Sequence, residues 1–190
     1  MESIDYLYNQ ISKVETTLIG YRFSDERIKD EIISNLRGTK KIDLSSSFSM
    51  KSILRDMKID QVLNEEEKVD YLLLDINDIR NTYIKQRNFT NDDISRAGII
   101  NIIYDVRNCL RDSRNGKDIS DIKLVITCPL QSNGLNKDNN TIDAFMGGST
   151  PLYYADLAMI ITQQSGDKVI QVIKNREADS HKIIKYDSIK

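Results

Sequence analysis

Apolar residues recur along this chain at two spacings, and the alternation between them lays out an architecture. Ile4, Leu7, Ile11 and Val14 fall three and four apart, the period of one helical face, so the chain opens on an amphipathic helix with a face to pack against a sheet. Thr16 to Phe23 is β-branched and aromatic and predicts a strand. Ser24 then offers an N-cap for a helix from Asp25 to about Leu36, with acidic residues in the first turn, where the helix dipole favours them. After Gly38 comes the polar stretch Ser45-Ser46-Ser47, which reads as loop, and Met50, Ile53, Leu54 and Met57 return to helical spacing.

Val69 to Asp75 has another character: a short continuous apolar run that ends on a carboxylate, as suits a parallel strand buried on both faces. A polar loop from Asn77 to Asn91 leads to a long helix from about Asp92 to Asp112, with Ile99, Ile102, Ile103, Val106 and Leu110 inward. Ile122 to Cys128 is a further strand, stopped by Pro129. The Asn- and Gly-rich stretch from Gln131 to Gly148 predicts a long mobile loop. Val169 to Lys174 and Lys182 to Tyr186 are closing strands. Strands alternating with helices and then giving way to strands predict an α/β fold, a mostly parallel central sheet flanked by helices, with antiparallel strands at the C-terminal end.

With 190 residues, 39% hydrophobic, the chain buries one sizeable core, and a single domain over 1–190 is expected. Lys and Arg number 27 against 29 acidic residues, a net charge of -2, so any nucleic-acid binding needs a local patch rather than a global field. Cys109 and Cys128 have no metal or redox spacing and read as reduced thiols. The N-terminus lacks the order of a signal peptide and no apolar run is long enough to span a bilayer, so a cytoplasmic protein without membrane contact is expected. The one histidine, His181, has no sequence neighbour with which to build a triad or a metal site.

Three motifs carry a family resemblance. The run Met146-Gly147-Gly148-Ser149-Thr150-Pro151-Leu152-Tyr153-Tyr154-Ala155-Asp156, leading into Leu157-Ala158-Met159-Ile160-Ile161, resembles a segment of RecA-type recombinases, the UvsX-like viral ones above all, and of DnaB-like ring helicases. There a mobile nucleic-acid loop re-enters the central sheet. Leu72-Leu73-Leu74-Asp75 is similar to the Walker B strand, whose Asp helps hold the Mg²⁺ of a bound nucleotide. Ile173-Lys174-Asn175-Arg176 resembles the Lys-x-Arg turn of ring helicases that reaches a neighbouring subunit's nucleotide. The resemblance runs from about Asp5 to Tyr186 and implies a RecA-like fold, with a chain that begins inside the helix following the phosphate-binding loop.

Departures from that family shape the functional expectation. Nowhere does the chain contain G-x-x-x-x-G-K-[ST], whose backbone N–H groups cradle phosphates. On the resemblance, the acid that ends the second strand and positions the attacking water falls at Arg22, and a cation cannot serve as that base. The polar sensor falls at Pro129, or two residues late at Gln131. The expected protein is therefore a pseudo-ATPase with degenerate Walker motifs that binds or assembles around nucleic acid in recombination or replication. Single-stranded DNA, further copies of the chain or a RecA-like subunit are its implied partners. No catalytic residue and no cofactor are expected, with ATP and Mg²⁺ entering only if another chain supplies a phosphate loop; a part of an active DNA-dependent ATPase and a pure protein-interaction module are the alternatives. Nucleic-acid contacts are expected from Arg80, Lys85, Arg87 and Arg96, near Tyr83 and Phe89, and from Asn133, Lys137, Gly147 and Gly148. Asp75 is the Walker B-like residue, Lys174 and Arg176 the interface finger.

Overall fold

The computed structural model describes residues 3–41, 69–78, 103–104, 106–108, 122–130, 135–136, 139–140, 145, 150–178 and 182–186. Helix α1 (Ile4–Lys13) leads into strand β1 (Thr16–Tyr21), and a 3₁₀ turn (Phe23–Asp25) into helix α2 (Glu26–Ser34). Strands β2 (Thr39–Lys41), β3 (Tyr71–Asp75) and β4 (Lys123–Pro129) come next, then the two-residue strands β5 (Leu135–Asn136) and β6 (Asn139–Asn140), paired antiparallel. Helix α3 (Thr150–Tyr154) precedes β7 (Leu157–Gln164), β8 (Asp167–Asn175) and β9 (Ile183–Lys185).

Seven of these strands form one sheet in the order β2-β3-β4-β1-β7-β8-β9. The first five run parallel, and β8 and β9 continue antiparallel, as the sequence pattern predicts. Both outermost strands are three residues long. The period-2 alternation sorts the apolar residues into two cores. Leu18, Leu72, Leu74, Leu124, Ile126 and Ile160 share one face with Ile103, Val106, Phe145 and Leu152. Ile19, Tyr21, Leu73, Val125, Met159 and Ile161 share the other, under Leu7 and Ile11 of α1 and Ile32 and Ile33 of α2. Each such side chain, withdrawn fully from water, contributes about 1.5–3 kcal/mol. The fully buried β1, with six residues inside, is thus explained by helices on both sides.

Several expectations are corrected. The helix after β1 is capped at Asp25, not Ser24, because Arg22 to Asp25 first close a 3₁₀ turn through Asp25 N–H donating to the Arg22 carbonyl at 2.8 Å. Thr39–Lys41, for which the sequence pattern predicts no element, is edge strand β2 paired to Tyr71–Leu73. Pro129 is the last residue of its strand rather than the first beyond it. Leu130 N–H donates to the Tyr21 carbonyl, so residue 129 faces β3, whose last residue Asp75 lies opposite Thr127 and leaves no ladder bond for a proline to break. Of the predicted loop from Gln131 to Gly148, the described residues hold a short hairpin and an anchor, Phe145, which is wholly buried and bridged to Leu130. Leu157–Ile161 re-enters the sheet as β7, which turns into β8 through Ser165 and Gly166, both at positive φ. Two such residues between paired strands make the tight turn that matches strand twist. Of the predicted long helix, the described residues 103–104 and 106–108 are helical, and Ile103 and Val106 are buried as expected. The predicted helix around Met50 to Met57 lies outside the described residues. Among the described residues no helix is long and apolar enough to cross a membrane.

Gly20 shows how closely the centre is packed. A Cβ there would lie 2.7 Å from Phe145 Cε1, 2.8 Å from Ile160 Cγ2 and 2.9 Å from Leu130 Cδ2. Overpacking of this kind costs about 1–3 kcal/mol, and Gly20→Ala should destabilise the protein by that amount in urea denaturation. Stability unchanged within error would mean that Phe145 is not seated against β1.

Candidate functional site

In open α/β sheets, ligands bind outside the carboxyl ends of the parallel strands, where the strand order reverses. Here that point is the carboxyl end of β1: the chain leaves β1 for the β2 edge, works back through β3 and β4, and crosses to β7 on the other flank. The end of β1, its turn into α2, and the ends of β3 and β4 therefore define the candidate crevice.

The strand–turn–helix unit at its centre is β1, Arg22–Asp25 and α2. Phosphate loops use this unit with glycines that open the backbone N–H groups toward the anion. The turn here has no glycine and closes on itself, and its Asp25, 1% exposed, sets a carboxylate at the helix N-terminus. Lys168 of β8 pairs with Asp25 Oδ1, while Oδ2 is buried without a hydrogen bond. This helix end is thus occupied by the chain's own carboxylate, already paired with a lysine.

This topology corrects the motif register. Helix α1 precedes the central strand, and Arg22 follows the first strand, not the second, which is Thr39–Lys41 at the sheet edge. Arg22 consequently does not stand in for the water-positioning acid. Pro129 does end the strand before the long loop, while Gln131 lies outside the described residues.

Asp75 ends β3 and points to the α2 side of the sheet with Leu73. Its Oδ1 accepts from Asn77 N–H at 2.9 Å, and its Oδ2 lies 3.7 Å from Lys29 Nζ of α2. The two side chains are 8% and 7% exposed. Lys29 Nζ also lies 3.0 Å from Asp30 Oδ1 and 3.6 Å from Glu26 Oε1, and 4.8 Å from the Tyr21 ring centroid, within cation–π range. Three carboxylates and a ring face thus surround one ammonium. Thr127, the in-register neighbour of Asp75, has a buried Oγ1 without a hydrogen bond, as does the Tyr21 hydroxyl. Burial, and next the charge of Asp75, push the Tyr21 phenol well above the usual tyrosine range. Lys41 pairs with Asp78 beyond the end of β3, so Lys–Asp pairs run from the β2 edge to β8 along the carboxyl ends. A Mg²⁺ ion does not fit beside Asp75, because it would meet the Lys29 ammonium. Among the described residues no three His, Cys, Asp or Glu side chains form a metal-binding group.

Lys174 and Arg176 lie elsewhere. Arg176 N–H donates to the Asp156 carbonyl, and Asp156 N–H to the Thr16 carbonyl, which puts this end of β8 level with the start of β1. Arg176 Nη1 donates to Asp156 Oδ1 at 2.8 Å and Nη2 to the Tyr153 carbonyl at 3.3 Å; Lys174 donates to the Leu152 carbonyl and Arg107 to that of Tyr154. Three cations thereby satisfy the final carbonyls of α3, where the helix dipole favours positive charge. Burial, then the neighbouring Arg176, hold Lys174 below the usual lysine range. Asp156 Oδ2 accepts Thr16 N–H at 3.0 Å, so this carboxylate ties α3, β1 and β8 together. Both cations of the finger-like motif are engaged within the chain.

The expected nucleic-acid residues Arg80, Lys85, Arg87, Arg96, Asn133, Lys137, Gly147 and Gly148 lie outside the described residues, as does His181. Cys128 is a buried thiol outside any disulfide. Tyr153 is 71% exposed, with Tyr154 half-buried edge-on to Tyr104. Lys29 and Asp25 belong to none of the sequence motifs, although a signal exists: Asp25, Lys29, Ile32, Ile33 and Leu36 share one helical stripe, so two charges stand on an apolar face.

Comparison with known proteins places the fold. No protein-family model matches the sequence, and no curated protein matches it. Among solved structures it is similar to the crystal structure of the RadB recombinase, with a TM-score of 0.56 at 9% identity over 98% of this chain and 97% of that one. It also matches the ATPase domain of a helicase, with a TM-score of 0.44 at 10% identity over 89% of this chain and 79% of that one. The chain has the fold of a RecA-like ATPase core.

Two measurements probe the crevice. Lys29→Met leaves a buried carboxylate uncompensated and should cost about 3–5 kcal/mol in chemical denaturation, whereas Lys29→Met combined with Asp75→Leu should cost clearly less than the sum of the single changes. Strict additivity would show that the two groups do not interact. Because the Tyr21 pKa is raised by folding, its contribution is full below the unfolded phenol value near ~10 and is lost as pH rises beyond it, where the unfolded chain binds fewer protons. Urea midpoints should fall above that pH, and fall less steeply in Tyr21→Phe; identical pH profiles would place Tyr21 in water.

Proposed function

We propose that this chain is an ATPase-deficient RecA-like module that binds or assembles around nucleic acid in recombination or replication. The observation that carries the first half is the turn between β1 and α2. At the centre of a RecA-like sheet it has no glycine and no open N–H cradle, and it presents buried Asp25 to the helix N-terminus. The fold likeness to a recombinase supports the second half. The contacts in this reading come from Arg80, Lys85, Arg87 and Arg96 and from the loop from Gln131 to Thr150, with single-stranded DNA as ligand and further copies of the chain, or a RecA-like subunit, as neighbours. The protein acts without a cofactor and in the cytoplasm.

A titration of labelled single-stranded DNA at low and moderate salt, with and without ATP and Mg²⁺, tests this reading. Binding should weaken as salt rises, ignore ATP, and drop when Arg80 and Arg87 are both changed to Glu. ATP-dependent binding or hydrolysis would instead identify part of an active ATPase, and no binding at any salt would identify a protein-interaction module.

A further inference from the structure

We infer that Lys29 is a built-in substitute for a divalent cation at the carboxyl end of β3, and that taking its charge away creates a metal site on Asp75. The inference rests on reading the carboxyl edge as a former nucleotide crevice. Lys29 Nζ sits within 3.7 Å of carboxylate oxygens from three residues, Glu26, Asp30 and Asp75. Those three belong to two elements, α2 and β3, so helical i,i+3 pairing alone does not account for the convergence.

Burial excludes the bland account of a solvated surface pair. Lys29 and Asp75 are each over nine-tenths withdrawn from water, and a buried charge persists only when opposite charge and hydrogen bonds surround it. A second observation comes from the sheet: Thr127 Oγ1, fully buried and unpartnered, stands in register with Asp75 and, like it, on the α2 side. A hydroxyl oxygen beside a carboxylate is a pair of hard donors that a divalent ion takes; the Lys29 ammonium, which could also donate to such an oxygen, lies against the carboxylates and leaves Thr127 Oγ1 without a partner. The resident cation is thus covalently tethered, cannot dissociate, and brings +1 where a metal brings +2. The Lys29 ammonium also faces the Tyr21 ring.

Mn²⁺ alone is the probe, read by electron paramagnetic resonance and by thermal unfolding of the full chain. Wild-type protein should show no Mn²⁺ site that depends on Asp75. Lys29→Ala should acquire one, with the melting temperature rising by about 3–6 °C at a tenfold excess over Kd, and Lys29→Ala/Asp75→Asn should lose it again. Lys29→Gln, which keeps the stem and a donor, carries the same test if the alanine variant does not fold, and Lys29→Arg should stay metal-free. An Asp75-dependent Mn²⁺ site in wild-type protein would overturn the inference, as would its absence from both Lys29→Ala and Lys29→Gln. None of these readouts depends on DNA, so failure here and failure of the proposed function are told apart by the separate DNA titration.

Discussion

Strand β1 has no unoccupied side, and the rest of the molecule is registered to it. Its two edges are paired to β4 and β7, one face lies under α1 and α2, and the other lies under Phe145 and α3. Its centre is closely packed at Gly20, where the missing side chain lets the Phe145 ring reach the backbone. That approach fastens Phe145 to the sheet's centre, beside Leu130 at the end of β4. A strand enclosed in this way also fixes the position of the turn that leaves it and opens α2.

The chemistry of the carboxyl edge follows from that turn. A loop that bound phosphate would present N–H groups and cationic charge; this one presents Asp25 and closes in four residues, Arg22 to Asp25. The pairs of Lys29 with Asp75, Lys168 with Asp25 and Lys41 with Asp78 then neutralise the edge internally. The amino edge is organised by the same principle on a different element: Arg107, Lys174 and Arg176 satisfy the carbonyls that end α3, and Asp156 joins them to β1. Among the described residues, the ion pairs at both edges hold one element to another.

Much of this was legible in the chain before its structure. The apolar runs of β1, β3 and β4, the faces of α1 and α2, and the antiparallel C-terminal strands all follow from period and composition. The three-residue β2 was not legible, because Thr39-Lys40-Lys41 is polar and becomes a strand only by pairing with β3. Nor was the anchor Phe145, a lone aromatic in an Asn-rich stretch whose partner Gly20 is far away in sequence. The motif register failed for a related reason: local likeness matched Arg22 to a second strand, while strand order, which sequence does not display, makes β1 the first and central one. Asp75 could be picked out as a strand-ending carboxylate, but its lysine partner could not, since only the packing of α2 over the sheet brings Lys29 to it.

The two outermost strands, β2 and β9, are each three residues long. So short a rim offers an incoming chain few backbone groups to zip onto, the usual safeguard against runaway edge-to-edge association. A further strand laid on either rim would gain only the few backbone hydrogen bonds that three residues can share, so the described sheet offers a second copy little to extend.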